Sequence, residues 1–152
     1  MPGLKYWPVS MDPETWPKIG KVWASECISN HKDCQPPIKG PLPSRIVEIL
    51  DKDNVRVVSG TDQPDNFYVS LSYCWGGPQE FALTTDTMTD KETGFSVSCL
   101  PDTLRDAVSV TNQLCIKYIW IDSLCIIQDS TEDKQRELRL MAAYYRNSYL
   151  TI

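Results

Sequence analysis

Three observations predict an α/β fold for this chain, with three layers around a mainly parallel sheet and an N-terminal proline-rich arm, a helix and a β-hairpin ahead of it. From residue 67 onward, strand-like and helix-like segments alternate, the order that builds parallel sheets through right-handed crossovers. Tyr118-Ile-Trp-Ile is an apolar run without alternation, as expected of a strand covered on both faces. The length of 152 residues suits one ordinary domain with one core.

Eight of the 11 prolines fall within the first 43 residues. Each fixes φ and removes a donor, so residues 1–43 read as an irregular arm and residues 44–152 as the domain core. One helix fits the arm, from about Trp16 to Asn30, with Ile19, Val22, Trp23 and Cys27 at helical spacing. Ser44 to Leu50 and Val55 to Val58 are β-branched runs joined by Asp51-Lys-Asp-Asn, the pattern of a hairpin. Phe67, Val69, Leu71, Tyr73 and Trp75 then alternate with Tyr68, Ser70, Ser72 and Cys74 up to Gly76-Gly77-Pro78, which predicts the first central strand. Residues 79–98, rich in Thr and Asp, read as loop with some short element.

A helix is predicted from Pro101 or Asp102, with Leu104, Val108, Thr111 and Leu114 or Cys115 along one stripe. After the Tyr118 strand, Ser130-Thr-Glu-Asp is a helix start signal: the hydroxyl accepts from a first-turn amide, and acidic groups favour the positive helix end. That helix is expected to reach about Asn147 with Leu138, Met141, Ala142 and Tyr145 on one face, and Tyr149-Leu-Thr-Ile begins another strand. Stopping inside that strand, the sequence is expected to be a piece of a longer protein, truncated at the C-terminal side of the domain.

Twenty acidic against 15 basic residues give a formal charge of -5, which lacks the basic footprint needed to neutralise phosphates. Nucleic acid is therefore not expected as a partner. No apolar stretch approaches the roughly 20 residues of a membrane span, and no secretory h-region opens the chain. The reading is cytoplasmic, with the six cysteines reduced and mostly buried. Cys27, His31 and Cys34 have spacing that would give zinc three ligands, but a closed structural site needs a clear fourth. No metal and no tightly bound cofactor are predicted.

In an open parallel sheet, ligands bind beyond the carboxyl ends of neighbouring strands. Ser72, Tyr73, Cys74, Trp75, Gly76 and Gly77 close the first strand, while Asp122-Ser123-Leu-Cys-Ile-Ile-Gln-Asp129 closes the second, so these two segments would frame a binding site. Asp122 directly follows an apolar strand, where a carboxylate is partly desolvated; a site role and helix capping both account for it. Buried packing is the competing account of Tyr73, Cys74 and Trp75.

Tyr68-Val-Ser-Leu-Ser-Tyr-Cys-Trp-Gly, Leu100-Pro-Asp-Thr-Leu-Arg-Asp-Ala-Val and Tyr118-Ile-Trp-Ile-Asp-Ser-Leu-Cys-Ile-Ile-Gln-Asp are three long, ordered stretches. Together with Glu137, Met141, Tyr144, Tyr149-Leu-Thr-Ile and the upstream Leu42-Pro-Ser-Arg, they resemble the HET (heterokaryon incompatibility) domain of filamentous fungi. The resemblance implies a cytoplasmic effector that triggers programmed cell death when incompatible hyphae fuse, as one domain of a larger receptor-like protein. It also implies a remote similarity to TIR domains, whose flavodoxin-like wrap can cleave the nicotinamide glycosidic bond of NAD. NAD is then the expected substrate, with Asp122, Glu137 and Asp129 as carboxylates to stabilise an oxocarbenium-like transition state. The alternative is a non-enzymatic signalling module that self-associates and engages other domains.

Overall fold

The structure, a computed structural model, describes residues 15–32, 39–77, 79 and 81–152. The chain divides into two compact units, Met1–Pro36 and Pro37–Ile152. The first contains helix α1, Thr15–Asn30, whose end is closed by His31 N donating to Cys27 O at 3.1 Å. Cys34 and most of the prolines of the expected arm lie outside the described residues.

The second unit carries a six-stranded sheet of order β4-β2-β1-β5-β3-β6. Its strands are β1 (Arg45–Ile49), β2 (Asn54–Ser59), β3 (Val69–Ser70), β4 (Phe95–Ser96), β5 (Tyr118–Trp120) and β6 (Leu150–Thr151). The expected mainly parallel sheet is corrected to a mixed one. β3 does lie beside β5 in parallel, Val69 facing Ile119, and beside β6 in parallel, Val69 facing Leu150. On its other side β5 meets β1 antiparallel, Val47 facing Ile119, and β2 and β4 continue antiparallel.

The physical reason lies in the hairpin. Ile46, Val47, Glu48 and Ile49 are all buried, so β1 is an interior strand that completes the free edge of β5. Hydrophobic period reports which face a residue takes, not the direction in which a strand runs.

The helices follow their expected places more closely. Helix α3 (Asp102–Gln113) starts after Pro101 and buries Leu104, Ala107, Val108 and Thr111; the Thr111 hydroxyl donates to Ala107 O at 2.8 Å. Its end is a Schellman motif, Cys115 N donating to Asn112 O at 2.9 Å and Ile116 N to Thr111 O at 3.2 Å. The left-handed position there is filled by Cys115, φ 61°, where glycine is usual. Residues 79–98 supply more structure than the sequence suggested: helix α2 (Met88–Thr93) and β4. Lys91 anchors this segment from within, its Nζ 3.4 Å from the centroid of the Phe81 ring.

Beyond β5 comes the one-turn helix α4 (Asp122–Cys125) and then α5 (Thr131–Asn147), capped by the Ser130 hydroxyl accepting from Asp133 N. The expected face of α5 holds for Met141 and Tyr145, which pack against the core, and requires correction for Leu138 and Ala142. Its buried residues are Asp133, Glu137 and Tyr144, whereas Leu138 is 55% exposed and Ala142 is exposed. A polar stripe can face inward because Arg45, from a distant strand, meets it. Buried cysteines were also over-expected: Cys125 is fully buried, but Cys74 and Cys99 are exposed thiols.

Candidate functional site

The carboxyl ends of β3 and β5 point to the same edge of the sheet because the two strands pair in parallel. From there the chain leaves β3 toward α2 and α3 and leaves β5 toward α5, and where connections diverge in this way a crevice opens. A cleft of about 230 Å³ lies there, lined by Trp75, Asp122, Ile126, Gln128, Lys134, Leu138 and Met141.

Two hydrogen bonds join the loop after β3 to the start of α4. Trp75 Nε1 donates to Asp122 Oδ2 at 2.9 Å, and the Tyr73 hydroxyl donates to Ser123 Oγ at 2.8 Å. Asp122 Oδ1 accepts from Ser123 N at 2.7 Å, so both carboxylate oxygens are oriented. Burial raises the Asp122 carboxyl above the ordinary carboxylate value, against the opposing pull of Trp75, Ser123 and Tyr73. Burial also pushes Tyr73 up to about 12.

The other framing residues are placed as follows. Ser72 N donates to Ile152 O at 2.8 Å, and its side chain is exposed. Cys74 is exposed, and Gly76 turns the chain at φ 69°. Ser123 is buried, its carbonyl accepting from Leu83 N at 2.7 Å. Gln128 N donates to Leu83 O at 2.8 Å, and Gln128 Nε2 donates to Asp122 O at 3.2 Å. The segment around Leu83 is thereby pinned against the back of the site.

The structure does not bring the three predicted carboxylates together. Asp129 is exposed, and its Oδ1 accepts from Thr85 N at 2.9 Å and from the Thr85 hydroxyl at 3.2 Å. The Thr85 amide holds its carboxyl below the ordinary value. Glu137 is fully buried on α5 and is not among the residues lining the cleft. It accepts from the Tyr144 hydroxyl at 2.8 Å and from Arg136 Nε at 3.1 Å, with the Arg45 guanidinium 4.0 Å away. Both groups are engaged by neighbours that account for them.

The expected framing segment after the second strand, residues 122–129, supplies Asp122, Ile126 and Gln128 to the cleft, whereas Lys134, Leu138 and Met141 of α5 were not expected there. A signal was available: Lys134, Leu138 and Met141 recur at i, i+4 and i+7, one helix stripe beside the polar buried one. The cleft thus offers a carboxylate and an ammonium group, an indole wall and an apolar floor. That chemistry suits a ligand that places a cationic ring near Asp122 and an anionic group near Lys134.

Fold and site define a mixed α/β domain with its cleft at the carboxyl ends of two parallel strands. The family model described as heterokaryon incompatibility protein (HET) matches residues 68–152, more than half of the chain and every residue that lines the cleft. The chain belongs to the HET family, and its function is accordingly related to heterokaryon incompatibility. No curated protein and no solved structure gives a significant match to the chain. Among the described residues, no helix is long and apolar enough to cross a membrane.

Proposed function

We propose that this chain is a fungal incompatibility effector domain that acts in the cytoplasm, triggers cell death on non-self recognition, and does so by cleaving NAD in a three-layer, TIR-like wrap. The observation that carries this reading is the oriented, partly desolvated Asp122 carboxylate in a cleft that also holds Lys134. NAD bears a pyridinium cation and phosphates, the two charges that Asp122 and Lys134 complement. The cleft is below the roughly 300–1,000 Å³ of whole-ligand pockets, which suits the nicotinamide riboside end, with the rest of the molecule outside.

In the reaction the glycosidic C–N bond breaks with its electron pair going to nicotinamide. The Asp122 carboxylate stabilises the ribosyl cation left behind. Water then forms the new C–O bond and releases a proton. Glu137 and Asp129 take no part in this version, because their partners hold them elsewhere.

A second reading is non-enzymatic signalling by self-association and by contact with other domains of a larger protein. Leu138 and Leu140, 55% and 40% exposed on α5, favour it. One experiment separates the two: purified protein is incubated with NAD and nicotinamide release is followed by chromatography, beside expression in hyphae. Release and killing that both vanish in Asp122→Asn support the enzyme. Killing without release from the wild type overturns the enzymatic reading in favour of the signalling module.

A further inference from the structure

Leu42-Pro43-Ser44-Arg45 lies upstream of the matched residues 68–152, yet it grips both walls of the cleft. One wall is the stretch carrying Asp122, Ile126 and Gln128; the other is α5, with Lys134, Leu138 and Met141. Arg45 reaches each of them. Its Nε donates to Cys125 O, the last residue of α4, at 2.8 Å. Its Nη2 pairs with Asp133, the residue before Lys134. Asp133 Oδ2 in turn accepts from Ile127 N at 2.8 Å, so the two walls are stitched twice. These side chains are 11% and 5% exposed, which shields the pair from the screening that weakens surface ion pairs.

Ser44 extends the grip. Its hydroxyl lies 2.9 Å from the Tyr144 hydroxyl, which donates onward to Glu137. Helix α4 has four residues, about 6 Å at the ordinary rise per residue. A displacement of Cys125 at one end is therefore passed to Asp122 at the other.

We propose that Arg45 is a positioning residue for Asp122: by spanning Cys125 O and Asp133 it fixes the width of the cleft and, through α4, the Trp75–Asp122 hydrogen bond. Arg45 does not itself line the cleft. Lysine would retain the charge, but it lacks the planar fork that meets a carbonyl and a carboxylate at once.

The test is Arg45→Lys in the full chain, with thermal unfolding measured beside the indole N–H resonance of Trp75, which Trp75→Phe assigns. A hydrogen bond to a carboxylate draws that resonance downfield. The expected result is a variant that still unfolds cooperatively, with the Trp75 resonance moved upfield. Asp133→Asn, which retains an acceptor for Ile127 N, carries the same expectation. A folded variant with an unmoved Trp75 resonance overturns the proposal, as does the failure of both variants to fold, which assigns the network to overall stability. The inference rests on the cleft being the site, but its readout is local geometry. Absent NAD cleavage with a shifted resonance removes the activity and keeps the clamp; the reverse removes the clamp alone.

Discussion

The indole N–H of Trp75 meets Oδ2 of Asp122 across 2.9 Å, so the loop leaving the first parallel strand is tied to the carboxylate that follows the second. Trp75→Phe removes the donor while keeping an aromatic wall. The expected cost is about 1.5–3 kcal/mol, the range for a hydrogen bond to a charged group, measured by urea unfolding. The bond also opposes the burial that raises Asp122, so its loss should raise that carboxyl further, as read by carbon NMR titration. The sign for stability follows: a raised folded-state value means that Asp122 favours the fold at low pH, and this contribution is lost as pH rises through that value.

Glu48 behaves in the opposite sense. Burial pushes its carboxyl up, but Lys117 at 2.5 Å and Arg56 at 2.6 Å outweigh burial and hold it below the ordinary value. Its stabilisation is complete above the ordinary carboxylate value of about 4 and is lost as pH falls through the lowered one. Glu48→Gln should cost about 1–2 kcal/mol at neutral pH, since both cations are partly exposed. The difference from wild type should shrink toward acid pH in a series of urea titrations; a constant difference would count against the ion triad.

Gly60 is required by close approach rather than by its dihedral angles. A Cβ there would lie 1.8 Å from Pro43 O, and Gly60 N already donates to Ser44 O at 3.0 Å. Gly60→Ala should therefore destabilise by about 3 kcal/mol or more, because backbone must move. It should also disturb the neighbouring Arg45. Chemical denaturation of the variant checks the cost.

Cys115→Gly should act the other way. The residue sits at φ 61°, which costs an L side chain roughly 1–2 kcal/mol, and part of that gain is offset by the greater freedom of glycine in the unfolded chain. A net rise of about 1 kcal/mol in unfolding free energy is expected. An unchanged or lower melting temperature would show that the cysteine side chain contributes more than the helix stop costs.

The elements that local pattern determines were readable. The hairpin and the Pro101 and Ser130 helix starts follow from neighbours within a few residues, and the parallel pairing of β3 with β5 follows from the helix of crossover length between them. What stayed hidden depends on partners far along the chain. The buried stripe of α5 is Asp133, Glu137 and Tyr144, and part of what makes it acceptable inside, Ser44 and Arg45, arrives from 88–100 residues away. The direction of β1 against β5 is likewise a long-range choice. Of the site, the Trp75 loop and the segment from Asp122 to Gln128 were found because both follow strands, while Lys134 comes together with them only through the turn between α4 and α5.

The antiparallel seam between β1 and β5 bears on how this module can be moved between proteins. A recombination or fusion joint placed at Tyr68 would retain every cleft residue but strip β5 of its neighbour. It would also leave Asp133 and Glu137 inward-facing without the guanidinium that Arg45 supplies. Such a fragment would expose a bare strand edge, the usual template for aggregation. The portable unit therefore starts ahead of Leu42, and natural shuffling of this domain is expected to respect that earlier boundary.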